Sequence, residues 1–261
     1  MKTKPIRFLC LGDVVGEGAC LHLQRTLPAL QGKLAADFVI ANGENSANSN
    51  GIHRQSAQLL FSAGVDLITT GNHVFRHREY WEELDGVPSV LRPSNYPGTC
   101  PGRGFGVFLV ASRRVLVVNL LGTLFMEALA SPFETMEKIL RDMEGKYDFA
   151  LCDFHAEATS EKGAFAHHFD GRVSAVFGTH THVPTADLRI LPGGTGFITD
   201  VGMCGAQNSV LGLDPALAAD RFLTHLPGRF TPAGGEMIVC GAVFDIDPDT
   251  GKTVYTEQVL L

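Results

Sequence analysis

The sequence predicts an α/β fold, on two observations. Short β-rich runs alternate with amphipathic stretches through the first two hundred residues, and a hairpin-like pair plus a glycine-rich C-terminal third add antiparallel strands. Such alternation builds a mainly parallel sheet with helices on its faces, because a parallel crossover needs a long connection.

In chain order, Ile6–Leu11 is an apolar run cut by Gly12 and Asp13 and reads as the first strand. Cys20–Leu34 has helical periodicity, Phe38–Ala41 is a second strand, Gln55–Ala63 a helix and Leu67–Thr70 a third strand. The proline- and glycine-rich stretch Arg92–Gly104 is a loop, a candidate wall of the site or contact in a homo-oligomer. Phe105–Val110 and Val115–Leu121, separated by Ala111-Ser112-Arg113-Arg114, have hairpin spacing. Ser131-Pro132-Phe133-Glu134 is a capping box with proline at the first helical position, which predicts a helix to about Glu144. Ala150–Phe154 and Val173–Phe177 are strands with a helix over Ser160–Phe169 between them, and Met237–Phe244 with Val254–Leu260 suggest a second sheet. No repeat or composition break divides the chain, so residues 1–261 are expected to form a single domain.

Composition narrows the function. With 21 Lys+Arg against 28 Asp+Glu the net charge is −7, which disfavours a binder of long duplex nucleic acid, whose affinity depends on neutralising phosphates. The apolar run near the N-terminus in MKTKPIRFLCLGD is too short for a signal peptide, and Val115–Leu121 falls far short of the roughly 20 residues of a membrane span. The six cysteines form no CxxC pair, a pattern that suits buried free thiols in a reducing cytoplasm.

The chemistry is concentrated where strands end: Asp13, then Glu44 and Asn45, then Asn72 and His73, then His155, then His180 and His182. In an open α/β sheet, residues just past the carboxyl ends of parallel strands converge on one edge, where ligands bind. The steps of 31, 28 and 25 positions (Asp13 to Glu44, Glu44 to Asn72, His155 to His180) are each about one βαβ unit, and the hairpin and capped helix fill the gap of 83 from Asn72 to His155. Taken singly, Asp13 reads as a cap and Asn72-His73 as a turn; the coincidence of five strand ends favours a site. Three histidines, two carboxylates and two carboxamides exceed what one metal ordinarily takes and suit two adjacent ions, with Glu44 as the bridging carboxylate. His180 and His182, if extended, point the same way and serve one ion each. His22, His53, His77, His167, His168 and His225 read as solvated or satisfied side chains. Neither GxGxxG, GxxxxGK[ST] nor GxSxG occurs, which weakens dinucleotide, P-loop and serine-hydrolase readings.

The ordered set Gly12-Asp13, Asn42-Gly43-Glu44-Asn45, Gly71-Asn72-His73, His155 and Gly178-Thr179-His180-Thr181-His182 resembles the motifs of calcineurin-like metallophosphoesterases. More narrowly, Ala156–Lys162, Asp170–Val173, Gly178–Asp187 and Thr199–Met203 resemble the bacterial YmdB-like branch over nearly the whole chain. The chain departs from the wider superfamily at Val15, where a histidine is usual, at Glu44, where an aspartate bridges, and at Val74, where an acidic residue follows Asn-His; in the branch the residue matching Asn45 fills the first gap.

The resemblance implies a four-layer α/β/β/α sandwich, two mixed sheets flanked by helices. It implies two metal ions, one held by Asp13, Glu44, Asn45 and His182, the other by Glu44, Asn72, His155 and His180, with His73 as general acid. Iron is expected from the branch, while the donor set also accepts manganese or zinc. The expected reaction is in-line attack of a water, bridging and acidified by both metals, on a small phosphodiester, with 2′,3′-cyclic nucleotides the foremost substrates. Two rivals stand beside it: a phosphomonoesterase or protein phosphatase on the same scaffold, and a nucleotide- or RNA-sensing regulatory protein with little turnover.

Overall fold

A computed structural model describes residues 3–48, 50–228 and 231–261; the first two residues of the apolar N-terminal reading lie outside it. Its elements are β1 (Ile6–Val14), α1 (Gly16–Leu34), β2 (Phe38–Asn42), α2 (Arg54–Ser62), β3 (Leu67–Thr69), α3 (Arg78–Trp81), β4 (Val90–Leu91), β5 (Phe105–Val110), β6 (Arg113–Leu121) and α4 (Pro132–Asp142). There follow β7 (Phe149–His155), α5 (Thr159–His168), β8 (Ala175–Thr179), β9 (Arg189–Ile190), β10 (Gly196–Ile198), β11 (Met203–Ala206), α6 (Pro215–Thr224), β12 (Met237–Ile246) and β13 (Thr253–Leu260).

The strands form two facing mixed sheets, ordered β13-β12-β11-β1-β2-β3-β4 and β5-β6-β7-β8-β10-β9. Side chains alternate along a strand, so β1 sends Phe8 and Cys10 into the space between the sheets and Leu9 and Leu11 to the outer face. Between the sheets they meet Val115, Val117, Leu151 and Phe177 of the opposing strands. The outer face of the first sheet is covered by Cys20, Leu23 and Leu27 of α1 and Leu60 of α2; that of the second by Met136 and Ile139 of α4 and Phe165 of α5. This is the four-layer α/β/β/α sandwich, and burial on both faces explains why central strands such as β1, β2, β7 and β8 read as mainly apolar runs.

Two features of the sequence reading change. The C-terminal strands do not make a second sheet: β12 runs antiparallel along β1 from Ile6↔Ile246 to Leu11↔Gly241, and β13 pairs outside it. The second sheet is instead seeded by the β5–β6 hairpin, onto which β7 and β8 add in parallel. Local sequence signals a strand, but its partner is chosen by long-range burial. Helix α1 begins at Gly16 rather than Cys20, its glycine-rich first turn having the look of a loop, and α6, capped by Asp214, was not anticipated because only Ala218 of it is buried. His53 caps α2 by accepting from the Ser56 amide, the structural role expected of it. The predicted cap at Ser131 accepts from the Glu134 amide, and α4 ends at Asp142.

The 92–104 loop is pinned to the end of β6: Asn95 accepts from the Leu121 amide at 2.9 Å and donates to the Leu121 carbonyl at 2.8 Å. No helix among the described residues is long and apolar enough to cross a membrane.

Candidate metal centre

At Gly12, β1 exchanges one neighbour for another. β12 accompanies it to Leu11; beyond, Asp13 pairs with Met203 of β11, and the Asp13 amide donates to the Gly202 carbonyl. A Cβ at Gly12 would lie 1.9 Å from that carbonyl oxygen, so only glycine lets the strands approach and carry Asp13 inward. The carboxyl ends of β2, β3, β7 and β8 deliver the other predicted residues to the same edge.

These residues form one connected cluster. Glu44 Oε1 lies 3.0 Å from His73 Nδ1, 3.2 Å from Asn45 Nδ2 and 3.3 Å from His155 Nε2, while Oε2 accepts from the His73 amide at 3.0 Å. His155 Nε2 also faces Asn72 Oδ1 at 3.2 Å and His180 Nδ1 at 3.1 Å. His182 Nε2 sits 3.1 Å from Asn45 Nδ2 and 3.7 Å from Asp13 Oδ1. Glu44, His155 and His180 offer ligand atoms that all lie within 4.8 Å of one another. Asn45 turns its amide nitrogen to this space; as a metal ligand it would rotate to present its oxygen.

The outer nitrogen of each histidine is held by an oxygen. Thr179 Oγ1 donates to Asp153 Oδ1 at 2.7 Å, so it accepts from His155 Nδ1–H at 2.8 Å. His180 Nε2 lies 3.2 Å from Glu157 Oε2, and His182 Nδ1 donates to the Leu211 carbonyl at 2.9 Å. Each arrangement leaves the inner nitrogen for a cation, the usual support of metal-binding histidines. His180 and His182 are not extended, as the sequence reading had them: both have positive φ, 99° and 65°, and that turn sends one toward His155 and the other toward Asp13.

A metal fits this chemistry on two further observations. Asp13 Oδ1 is buried with no hydrogen-bond partner, while its Oδ2 accepts from the His180 amide at 2.9 Å. A Cβ on Gly71 would lie 2.3 Å from both Glu44 Oε2 and His155 Nε2, so glycine keeps the space between them open. The charges agree. Burial works against ionising Glu44, yet His155 and His73 hold its carboxyl well below the usual range. Burial likewise opposes charge on His155, but Glu44, Asp13 and Asp153 push it up to about 9, so the carboxylates draw positive charge to this point. Burial, with His155 beside it, pushes His180 down to about 3.

Beside the cluster lies a cavity of about 830 Å³, walled by His73, Arg76, Asn48, Glu157, Leu211 and Leu213 among others, none of them from the 92–104 loop. The sequence reading missed Asp153, Thr179 and Glu157 as supports. Asp153 had a signal, a carboxylate inside the apolar run Ala150-Leu151-Cys152-Asp153-Phe154; Thr179 and Glu157 had only their closeness in sequence to ligands.

The four-layer sandwich and the nitrogen and oxygen donors gathered at its edge agree with the metallophosphoesterase resemblance. The chain belongs to the YmdB-like protein family, whose sequence model matches residues 9–259. It is 42% identical over 256 residues to a 2′,3′-cyclic-nucleotide 2′-phosphodiesterase of Bacillus subtilis (strain 168), covering 98% of this chain and 97% of that one. A crystal structure of a hypothetical protein from Thermus thermophilus superposes with a TM-score of 0.92 at 41% identity, covering 98% of this chain and 99% of the other. That of a novel phosphatase from Mycoplasma pneumoniae gives 0.94 at 35% identity, covering 100% and 94%.

Proposed function

We propose that this protein is a metal-dependent phosphodiesterase of small phosphate diesters, with 2′,3′-cyclic nucleotides as its foremost substrates. Asp13, Glu44, Asn45 and His182 would hold one ion, and Glu44, Asn72, His155 and His180 the other. The observation that carries the reading is the set of three histidines whose outer nitrogens each face an oxygen, leaving the inner nitrogens of His155 and His180 beside Glu44 and that of His182 beside the buried, unpartnered Asp13 Oδ1. Two divalent ions held there would supply charge to polarise the phosphoryl oxygens and to acidify a water for in-line attack. Iron is the proposed metal; donors of nitrogen and oxygen without thiolate equally suit manganese or zinc.

The chain's own groups do the rest. His73 borders the cavity with its side chain 35% exposed, and Glu44 orients it through both the ring Nδ1 and the backbone amide. It is placed to give its proton to the leaving alkoxide, a contribution on the order of 10²–10⁴ in rate. The cavity is larger than a phosphate group needs, and its Leu211 and Leu213 wall suits the organic part of an ester. The Bacillus subtilis relative's activity supports the cyclic-nucleotide assignment. Five of the six unpaired thiols are buried and Cys100 is partly so, a pattern that suits a cytoplasmic setting.

The test is metal analysis of the purified protein beside turnover of 2′,3′-cyclic AMP, bis-p-nitrophenyl phosphate and p-nitrophenyl phosphate, before and after chelation. About two metals per chain with chelator-sensitive diester hydrolysis supports the reading. Preference for the monoester moves the protein to the phosphatase rival, and metal with negligible turnover to the sensing rival. No metal after reconstitution with iron or manganese overturns it.

A further inference from the structure

We propose that the fully buried Lys162–Asp200 ion pair is a positioning device for the metal centre, setting the backbone of the 180–182 turn and the end of β1 together; the proposal rests on the metal-centre reading above. Neither residue lines the cavity or belongs to the candidate ligands. Lys162 lies in Ala156–Lys162 and Asp200 in Thr199–Met203, two stretches that carry the family resemblance.

Lys162 and Asp200 have no exposed surface. Lys162 Nζ donates to Asp200 Oδ2 and to the Thr179 carbonyl, each at 2.8 Å. Asp200 Oδ2 also accepts from the Thr181 amide at 3.1 Å, and Oδ1 from the Gly202 amide at 2.9 Å. Thr179 and Thr181 flank His180, whose own amide is held by Asp13 Oδ2 at 2.9 Å. The turn is therefore gripped at three successive residues, and it needs the grip: His180 at φ 99° and His182 at φ 65° occupy backbone that non-glycine residues seldom adopt without outside constraint.

The same aspartate reaches the other half of the centre. By holding the Gly202 amide it sets the residue whose carbonyl accepts from the Asp13 amide at 3.2 Å and against which Gly12 is packed. Asp13 and His180 come from opposite sheets, and Asp200 is bonded toward both. A buried charge pair rarely adds stability over an apolar replacement of similar volume, because desolvation offsets the attraction. Its place beneath a strained turn is better explained by geometry than by stability.

The experiment compares Mn(II) binding to metal-free wild type, Asp200→Asn, Lys162→Met and Ile246→Ala, with thermal melts of each. Ile246 is buried in the core at the opposite end of β1, so its alanine variant measures what lost stability alone does to binding. We expect Asp200→Asn, which keeps the side-chain shape, to weaken Mn(II) at least tenfold and to speed hydrogen exchange of the Thr181 and Gly202 amides, while Ile246→Ala binds as wild type. If Lys162→Met fails to fold, Asp200→Asn still decides. Wild-type Mn(II) affinity in Asp200→Asn overturns the positioning role and leaves the metal centre standing; absence of both Mn(II) and Fe(II) binding in the wild type overturns both.

Discussion

Gly71→Ala tests the metal centre with one methyl group. Gly71 has no positive φ, so its backbone accepts alanine, and the substitution acts only through space. The new Cβ would stand 2.3 Å from Glu44 Oε2 and from Nε2 and Cδ2 of His155. Ordinary contact begins near 3.4 Å, so these side chains must retreat by about 1 Å. Metal–ligand distances tolerate about 0.2 Å, several times less than that retreat. Overpacking a buried site costs about 1–3 kcal/mol, which at about 2–4 °C per kcal/mol lowers Tm by about 2–12 °C and leaves the protein folded. The expected variant is a folded protein with metal affinity and diesterase turnover reduced at least about 10–100-fold, the range seen when metal ligands lose their support. Metal stoichiometry, a thermal melt and bis-p-nitrophenyl phosphate turnover on the same preparation check this. Gly71→Ala with two metals and full activity would refute the placement of ions between Glu44 and His155.

His73→Ala should retain its metals while turnover falls by about 10²–10⁴, read by metal analysis beside kcat; loss of both metals would remove its role as acid. Asp13→Asn replaces a buried carboxylate whose Oδ1 has no partner, and should lose metal while keeping the fold, as inductively coupled plasma analysis and circular dichroism would report. The Arg172 guanidinium, 2.5 and 2.6 Å from Glu137, holds that carboxyl down to about 2, slight burial opposing and His168 assisting. A depressed carboxylate adds stability above its unfolded pKa of about 4.3 and loses it as pH falls toward about 2. The destabilisation of Glu137→Gln, below about 1 kcal/mol for so exposed a pair, should therefore shrink over that window in urea melts, and an undiminished difference at a pH of about 2 would show another cause.

Much of the centre was legible in the linear order. Asp13, Glu44, Asn72, His155 and His180 each stand where an apolar run stops, and that rule follows from strand geometry alone. The YmdB-like resemblance rested on the same motifs and agrees with the family match over residues 9–259. What escaped was everything joined across the fold. Nothing local marks Thr179 as a support, and its hydroxyl relays Asp153 to His155. Nothing local marks Lys162 as buried, and it is fully enclosed against Asp200, 38 positions away. His180 and His182 looked like alternate residues of an extended strand, and the structure divides them by positive φ instead.

Strand and helix identity, the edge where chemistry collects and the donor types follow from periodicity and residue type, because both are local properties of the chain. Sheet membership of β12 and β13, the crossing of β1 from one neighbour to another at Gly12, and the buried pairs that orient the ligands were decided only in three dimensions. Each depends on which distant segment fills a given space or satisfies a given buried group, and no local pattern encodes that choice.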